Sequence, residues 1–161
     1  MVLPAKPDDA ATLTAIALAA KRHWGYPAAW LAEWAPGLRV TPEFIAANET
    51  FVAWADDRRA GEMLGFAALI VADDGEAWLE HLWVRPEAMS RGIGRALFEH
   101  AVTRARGRGF AHLRIESDPH AEPFYLRMGA RRTGTATSSV QGVPRLLPLL
   151  EHALVPNATP A

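Results

Sequence analysis

The stretch "VRPEAMSRGIGRALFEHA", residues 84–101, places two glycines between an apolar run and a segment in which apolar residues recur every four positions. This change of spacing predicts a strand that enters a helix near Gly92 and Gly94. Such a turn leaves several main-chain N–H groups unpaired at the positive end of the helix dipole, where they attract anions. With Arg91 and Arg95 beside it, the turn predicts a phosphate site. A tight turn with surface arginines is the alternative interpretation.

Two well-known phosphate loops do not fit this stretch. The Walker pattern requires a Gly-Lys pair, and the chain contains none. A dinucleotide fingerprint requires a third glycine where Leu97 stands, and the strands before the stretch are predicted to be antiparallel rather than parts of a βαβ unit. A nucleotide-binding fold of the Rossmann kind is therefore disfavoured.

Three apolar segments upstream of the helix are typical of strands. They are "TFVAWA" at 50–55, "EMLGFAALIVA" at 62–72 and "AWLEHLWV" at 77–84. Short polar segments, "DDRRAGE" and "DDGE", separate them, so we expect three antiparallel strands in succession. Further upstream, a capped helix is predicted to begin near Asp8 or Asp9, and the aromatic segment 23–48, broken by glycine and proline, predicts short helices joined by turns.

The part of the chain after the helix is predicted to complete the sheet. "AHLRIES", 111–117, follows the strand 77–84 through a helix, so these two strands should run parallel. "DPHAEPFYLRMG", 118–129, predicts a short helix, and the segments 131–140 and 143–154 predict two final strands.

Composition narrows the class of protein. The chain has 161 residues, 50% of them hydrophobic, which suits one ordinary domain; we expect it at 1–154, with a loose tail at 155–161. A formal charge of -1 makes nucleic acid an unfavoured partner. The absence of cysteine excludes disulfides and thiolate metal sites and suits the cytoplasm. No run reaches the roughly 18 apolar residues of a membrane span, so no membrane partner is expected.

Two segments of the chain match motifs of a known family. "VRPEAMSRGIGRAL" combines a strand ending in V-x-P with a loop close to [RQ]-x-x-G-x-[GA], and "DPHAEPFYLRMGARRTG", 118–134, follows at a suitable separation. Together they resemble the acetyl-CoA loop and the second signature of the GNAT superfamily of N-acetyltransferases. The chain departs from the family at Met89, where Arg or Gln is usual, and at His120, where Asn is usual.

The resemblance implies an α/β (α+β) architecture, the GNAT acyl-CoA N-acyltransferase fold, with a mixed, mostly antiparallel sheet of six to seven strands flanked by helices. It implies acetyl-CoA as the cofactor and a strand 77–84 that splays from its neighbour, so that freed backbone groups meet the cofactor. The residues expected to bind the cofactor come from that strand, the loop and the short helix: Leu82, Trp83, Val84, Ser90, Arg91, Gly92, Ile93, Gly94, Arg95, His120, Phe124 and Tyr125.

Strict alternation along the strand 77–84 predicts which side chains share a face. One face would carry Trp78, Glu80, Leu82 and Val84, and the other Leu79, His81 and Trp83. By the resemblance, the face of Glu80 looks into the substrate cleft, which makes Glu80 the candidate base, acting through water; a solvated or salt-bridged glutamate is the alternative. His81 should face away as a packing residue. No histidines stand at metal-ligand spacing, so no metal is expected.

Tyr125 is the candidate general acid. A phenol with a pKa near 10 can donate a proton to a departing thiolate, and the "FY" of the short helix resembles the position of the family's general-acid tyrosine. A core tyrosine is the alternative. Further aromatic residues are expected to form a wall over the acceptor, which could hold an apolar or a cationic amine. The residues expected to bind the acceptor are Trp24, Tyr26, Trp30, Trp78 and Glu80, with Trp34 in the same wall.

These residues predict an N-acetyltransferase that moves an acetyl group from acetyl-CoA to a primary amine by direct transfer in a ternary complex. The near-neutral charge and the aromatic wall favour a small-molecule acceptor; a protein N-terminus or lysine is the alternative. A second hypothesis, a non-catalytic CoA-binding module of GNAT type, is motivated by Met89 and His120, whereas Glu80 and Tyr125 argue for the enzyme. A homodimer through the C-terminal strands is left open.

Overall fold

The computed structural model describes residues 1–56 and 61–154. The predicted tail at 155–161 and part of the predicted turn at 56–62 lie outside this range. Five helices are described: α1 (Ala10–His23), α2 (Ala28–Leu38), α3 (Pro42–Ala47), α4 (Ile93–Gly107) and α5 (Glu122–Arg127). Seven strands are described: β1 (Val2–Pro4), β2 (Glu49–Trp54), β3 (Met63–Val71), β4 (Ala77–Val84), β5 (His112–Glu116), β6 (Arg131–Val140) and β7 (Val143–Ala153).

The strands form one sheet in the order β1-β2-β3-β4-β5-β7-β6. All neighbouring pairs are antiparallel except β4 and β5, which α4 connects in parallel. The predicted mixed, mostly antiparallel sheet is confirmed, as are its three successive antiparallel strands. The N-terminal strand β1 was not predicted, because three residues are too few to show a period.

The parallel pair β4–β5 separates after its first two residues. Ala77 pairs with Leu113 and Trp78 pairs with Arg114, and the registered pairing ends there. From that point to Val84, β4 is bonded only to β3 among the described strands. The predicted splay of this strand is therefore present, and it opens a cleft with main-chain groups along one wall.

A β-bulge at Glu80 makes the predicted alternation along β4 wrong. Leu79 stands opposite Leu69, and His81 stands opposite Ala68, so Glu80 is the extra residue between them. One inserted residue moves the side chains that precede it to the opposite face of the sheet. Leu79 therefore packs in the same core as Val84, whereas strict alternation placed these two residues on opposite faces.

The sheet separates two hydrophobic cores. On one face, α4 contributes the fully buried Leu97 and Phe98, which pack with residues of β3, β4 and β5. On the other face, α1 contributes Leu13 and Ile16, which pack with Val52 and other residues of β2 and β3. Full burial of such side chains contributes roughly 1.5–3 kcal/mol each, so both faces hold β4 rigidly beside the cleft. Within the described residues, the helices are too short or too polar to cross a membrane.

Candidate active site

The loop before α4 has the backbone that an anion site requires. Ser90 and Gly92 have positive φ angles of 62° and 81°, which turn the chain sharply into the helix. The first helical hydrogen bond runs from the Ala96 N–H to the Gly92 carbonyl. Among the described residues, no acceptor is found for the main-chain N–H groups of 91–95. These unpaired groups lie at the positive end of α4, where the sequence predicts an anion site.

The side chains of Phe124 and Arg95 lie beside this loop and leave its main-chain N–H groups uncovered. A Cβ atom on Gly94 would lie 3.4 Å from the ring of Phe124, so α5 packs directly against the start of α4. The guanidinium of Arg95 donates from Nε to Glu99 at 2.7 Å, on an exposed face of the helix. Within the described residues, the main-chain amides of the loop are therefore unpaired, whereas Arg95 already has a carboxylate partner in Glu99.

A cavity of about 800 Å³ runs from this loop along the opened edge of β4 to α1 and α2. It brings together most of the residues predicted for the site. Those that line it are Trp24, Glu80, Leu82, Trp83, Val84, Ser90, Gly92, Gly94, Arg95, His120, Phe124 and Tyr125. The cavity thus joins the loop, the candidate base and the candidate acid in one space.

Five predicted site residues are not among the lining residues of the cavity: Tyr26, Trp30, Trp78, Arg91 and Ile93. Trp78 stands where β4 is still paired with β5, before the cleft opens. Ile93 packs against the core under α4. Tyr26 and Trp30 form a second layer around Trp34, which does line the cavity. For all five residues, direct contact with the acceptor or the cofactor stays a prediction.

Tyr125 lies at the inner wall of the cavity. It is 6% exposed, and its ring packs against Phe98 and Phe124. Burial raises the pKa of Tyr125, so the phenol stays protonated at neutral pH. Within the described part of the chain the phenol forms no hydrogen bond, and its proton is available to a group that enters the cavity. A buried, protonated phenol can act as an acid but not as a base.

Glu80 shares the cavity with a second carboxylate, Glu116, at the end of β5. Burial and, secondly, the negative charge of Glu116 raise the pKa of Glu80. Both effects disfavour the charged form and move the carboxylate toward the range of a base active near neutral pH. Sequence reasoning did not single out Glu116. The only available signal was a glutamate at the carboxyl end of the strand that pairs in parallel with β4.

At the end of the cavity where the acceptor is expected to bind, Asp118 forms a cluster with Lys21, Tyr26, His120 and Arg145, hereafter the Asp118 cluster. Asp118 accepts hydrogen bonds from Lys21 Nζ at 2.6 Å and from Tyr26 Oη at 2.9 Å. The main-chain N–H of His120 donates to it at 2.9 Å, and Arg145 Nη2 lies 4.0 Å away. Arg145 Nη2 also donates to Tyr26 Oη at 3.0 Å. The cluster ties α1 and the turn before α2 to β7 and the β5–α5 loop.

The pKa values in this cluster follow from burial and from its charges. Burial alone would raise the pKa of Asp118, but the hydrogen bond and charge of Lys21 and the bonds from His120 and Tyr26 lower it to about 2. Burial lowers the pKa of Lys21, although Asp118 opposes this shift. Burial, together with the charge of Asp118, raises the pKa of Tyr26 to about 12. Asp118 is therefore a fixed negative charge at neutral pH.

The aromatic wall binds two of the protein's own cations. Lys21 Nζ lies 4.3 Å from the centre of the Trp34 ring, and the guanidinium carbon of Arg145 lies 4.7 Å from it. The same two groups lie 5.0 Å and 5.1 Å from the ring of Tyr26. Sequence reasoning left open whether these rings hold an apolar or a cationic amine. The faces of Trp34 and Tyr26 are already used by cation–π contacts within the chain.

A family model for the acetyltransferase (GNAT) family matches residues 13–130, which include the loop, β4, Glu116 and α5. The chain belongs to the GNAT acetyltransferase family. The matched segment contains the first shared motif and residues 118–130 of the second, and the splayed β4 leads directly into the first motif.

Known proteins similar to this GNAT domain agree with the assignment. The streptothricin acetyltransferase of Streptomyces lavendulae is 36% identical over an alignment of 105 positions that covers 60% of this chain and 52% of that protein. The chain thus spans about half the length of this relative. A GCN5-related N-acetyltransferase from Rhodopseudomonas palustris superimposes with a TM-score of 0.77 at 22% identity, over 95% of this chain and 94% of that one. A PaiA N-acetyltransferase from Thermoplasma acidophilum in complex with coenzyme A gives 0.71 at 18% identity, over 95% and 98%.

The two departures from the GNAT motifs have different structural settings. Met89 lines the cavity and packs against the core beneath α4, so it contributes apolar contact where an Arg or Gln would be polar. His120 directs Nδ1 to Asp118 Oδ1 and to Tyr26 Oη, each at 3.0 Å, and its ring stacks on Trp24. His120 thus belongs to the Asp118 cluster, and the predicted contact with the cofactor remains a prediction.

His81 is a packing residue of the GNAT sheet, as predicted. It is 7% exposed, lies against Phe44 and Phe66, and accepts a hydrogen bond at Nδ1 from Trp83 Nε1 at 3.0 Å. Burial lowers the pKa of His81 to about 4, so the ring is neutral. Within residues 1–56 and 61–154, no three side chains of His, Asp or Glu are grouped to hold a metal ion.

Proposed function

We propose that this protein transfers the acetyl group of acetyl-CoA directly to a primary amine of a small molecule, with both substrates bound together. One observation carries the proposal: unpaired amides at the start of α4, the freed edge of β4, Glu80 and Tyr125 all border one cavity. The chain has no cysteine to carry a covalent acetyl group, which supports direct transfer. The streptothricin acetyltransferase among its relatives supports a small acceptor.

The residues at the donor end fit acetyl-CoA. The amides of 91–95 would hold its pyrophosphate, because a helix N-terminus with a left-handed Gly92 exposes several donors to one anion. The main-chain groups of Leu82 and Val84, unpaired on the side of β5, would bond the amides of its pantetheine arm. Met89 and Phe124 supply apolar contact beside them.

Acid–base chemistry is the part assigned to this chain's own side chains. Acetyl-CoA supplies an activated acyl group, and the acceptor must meet it as a neutral amine. Glu80, with Glu116 nearby, would take the proton of the ammonium group, directly or through water. Tyr125 would hold a proton for the sulfur atom as the carbon–sulfur bond breaks and the carbon–nitrogen bond forms. Because both groups line one cavity, one bound complex can use both.

The donor site is tested by Gly92→Ala. The space around Gly92 is open, but its φ of +81° is strained for alanine by about 1–2 kcal/mol. The free loop of the variant is expected to relax from this conformation and binding must restore it, so acetyl-CoA should bind about 5- to 30-fold more weakly by calorimetry. Gly75→Ala is the matched control, since Gly75 has a φ of +82° and equally open space in the β3–β4 turn, away from the cavity. Equal loss of binding in both variants would contradict a pyrophosphate site at Gly92.

The transfer is tested by thiol release from acetyl-CoA with a panel of acceptors: streptothricin, simple amines, amino acids, a peptide with a free N-terminus and a lysine peptide. We expect release with at least one small amine and none with the peptides. Release with the peptides alone would favour the protein-acetylating alternative. Binding of acetyl-CoA without release on any acceptor would favour the non-catalytic module.

The neighbouring carboxylates of Glu80 and Glu116 predict that Glu116→Gln changes the pH dependence of activity. The charge of Glu116 raises the pKa of Glu80, so its removal should lower that pKa and keep Glu80 ionised to lower pH. We therefore expect the acidic limb of the kcat/KM profile to move to lower pH in Glu116→Gln. Glu99→Gln, on the exposed face of α4, is the control and should leave the profile in place. An unmoved limb in Glu116→Gln would show that Glu80 is not the titrating base.

A further inference from the structure

The charges of the Asp118 cluster do not balance. Lys21 and Arg145 are two cations beside one carboxylate, Asp118. Lys21 takes the close contact at 2.6 Å, and Arg145 Nη2 stays 4.0 Å from the same oxygen. His120, which also contacts Asp118, adds no negative charge. Among the described residues, Arg145 therefore shares its one carboxylate with Lys21, which binds that carboxylate at closer range, and the cluster keeps one positive charge in excess.

Arg145 is placed to bind a ligand in the cavity. Its side chain is 12% exposed, and it lines the cavity beside Asp118 and Trp34. Of its five N–H donors, only Nη2 donates to a described residue, Tyr26, while Nε and Nη1 keep their donors free. The Trp34 and Tyr26 rings hold the guanidinium plane in place. A planar, mostly buried guanidinium with free donors matches a carboxylate better than any neutral group.

The same arrangement disfavours a second cation at this end of the cavity. Lys21 and Arg145 already lie over the Trp34 ring, so a cationic group of the acceptor would compete with them for contact with that ring. A cation placed there would also meet two like charges in a poorly hydrated space, which disfavours its binding. The acceptor end therefore selects against a positive group distant from the reacting amine.

The reacting amine meets the opposite charge. Glu80 and Glu116 line the cavity beside the edge of β4, and Glu116 and Asp118 are two residues apart along the chain. Arg145 Nη2 lies 4.0 Å from Asp118, so the negative and positive ends of the site are neighbours in one cavity. One wall attracts an ammonium group, and the other attracts an anion.

We infer that the acceptor is a small amino-carboxylate, whose amine lies at Glu80 and Glu116 and whose carboxylate binds Arg145. This inference rests on the proposed acetyl transfer and names its substrate class. It assigns Arg145 as the residue that determines specificity, and it makes Lys21 and Asp118 the groups that position it through Tyr26 and the aromatic wall.

Matched acceptor pairs test the inference. Each pair has the same amine with or without the carboxylate: β-alanine and β-alaninamide, 4-aminobutanoate and its amide, 5-aminopentanoate and its amide. Thiol release from saturating acetyl-CoA gives kcat/KM for each. We expect at least one carboxylate to exceed its amide about tenfold or more in the wild type, since hydrogen bonds between charged groups are the strong ones.

Variants at position 145 identify the residue responsible. We expect Arg145→Gln to bring the carboxylate-to-amide ratio near one, Arg145→Lys to keep part of the preference, and neither to change the KM for acetyl-CoA. Arg131→Gln is the control, because Arg131 lies on β6, pairs with Glu151 and is exposed. Comparing ratios between variants cancels the difference in amine pKa within each pair. A loosened fold alone would lower the activity with both members of a pair and leave the carboxylate-to-amide ratio unchanged. A change in this ratio therefore reports on carboxylate binding.

The outcomes separate this inference from the proposed function. Turnover with equal kcat/KM for acids and amides in the wild type would overturn the inference and leave the acetyl transfer standing. A preference that survives Arg145→Gln, or a variant whose only change is the KM for acetyl-CoA, would also overturn it. If Arg145→Gln does not fold, the wild-type ratio and Arg145→Lys decide. No thiol release with any amine would remove both proposals.

Discussion

Tyr125→Phe is expected to lower kcat about 10²- to 10⁴-fold while the KM for acetyl-CoA changes little, because the change removes one proton and leaves the ring in place. The ring of Tyr125 packs between Phe98 and Phe124, and the described residues offer its phenol no hydrogen bond. The variant therefore creates no cavity and leaves no partner unsatisfied. Thermal unfolding should confirm that the fold is retained.

The raised pKa of Tyr125 is compatible with an acid. Burial disfavours the phenolate, and the same apolar surroundings would disfavour a thiolate formed beside it. One environment destabilises both the phenolate and the thiolate. The difference between the pKa values of the phenol and the thiol therefore changes less than the pKa of the phenol alone. Proton transfer to the sulfur remains feasible, whereas an unassisted thiolate in this space would be costly.

A change of leaving group separates an acid from a packing residue. A CoA analogue with an aromatic thiol in the acyl-bearing position releases a more acidic thiol, which needs less help from a proton donor. If Tyr125 is the acid, the deficit of Tyr125→Phe should shrink with this donor. A constant deficit with both donors would assign Tyr125 to positioning, and full activity of the variant with acetyl-CoA would remove it from the mechanism.

The loop and the helix at its end were predictable because their signals are local. Glycines at 92 and 94, followed by apolar residues every four positions, predict a turn into a helix, and the structure confirms the turn and α4. The strands β2, β3 and β4 were predictable for the same reason. Each depends on contacts with immediate neighbours in the sequence, where patterns of period two or four are visible.

The bulge and the charge pattern of the site had no such local signal. Nothing in "AWLEHLWV" marks Glu80 as an inserted residue, because the bulge depends on the register with β3. Arg145 lies 119 residues from Tyr26 along the chain, yet the two groups are bonded at 3.0 Å. Sequence reasoning therefore identified the aromatic rings but not the cations that occupy them. The choice between an apolar and a cationic amine stayed open at the sequence level, because the two cations beside the rings come from distant parts of the chain.

Asp118→Asn is expected to destabilise the protein by about 2–4 kcal/mol, because it leaves Lys21 and Arg145 without their shared carboxylate. The side chains of Lys21, Asp118 and Arg145 are only 10%, 7% and 12% exposed, so water cannot replace the lost charge. Breaking a buried pair by removing one partner typically costs about 3–5 kcal/mol. The free energy of unfolding, measured with denaturant at pH 7, checks this value.

Glu49→Gln is the matched control for this loss. Glu49 also bridges two cations, Arg104 at 2.8 Å and Arg108 at 3.1 Å, but these arginine side chains are 52% and 43% exposed. Exposed pairs contribute about 0–1 kcal/mol, so Glu49→Gln should change stability much less than Asp118→Asn. Equal losses in the two variants would show that burial does not strengthen the Asp118 cluster.

Acid titration gives an independent measure of the same interaction. The pKa of Asp118 is lowered from 3.8 in the unfolded chain to about 2 in the folded protein, so its stabilisation is complete above about pH 4 and is lost as the pH falls toward 2. A shift of this size corresponds to about 2 kcal/mol. The stability gap between the wild type and Asp118→Asn should therefore narrow over this window, because asparagine resembles the protonated acid. A gap that stays constant from pH 5 to pH 2 would mean that the Asp118 charge contributes nothing to holding Lys21 and Arg145 at the acceptor end.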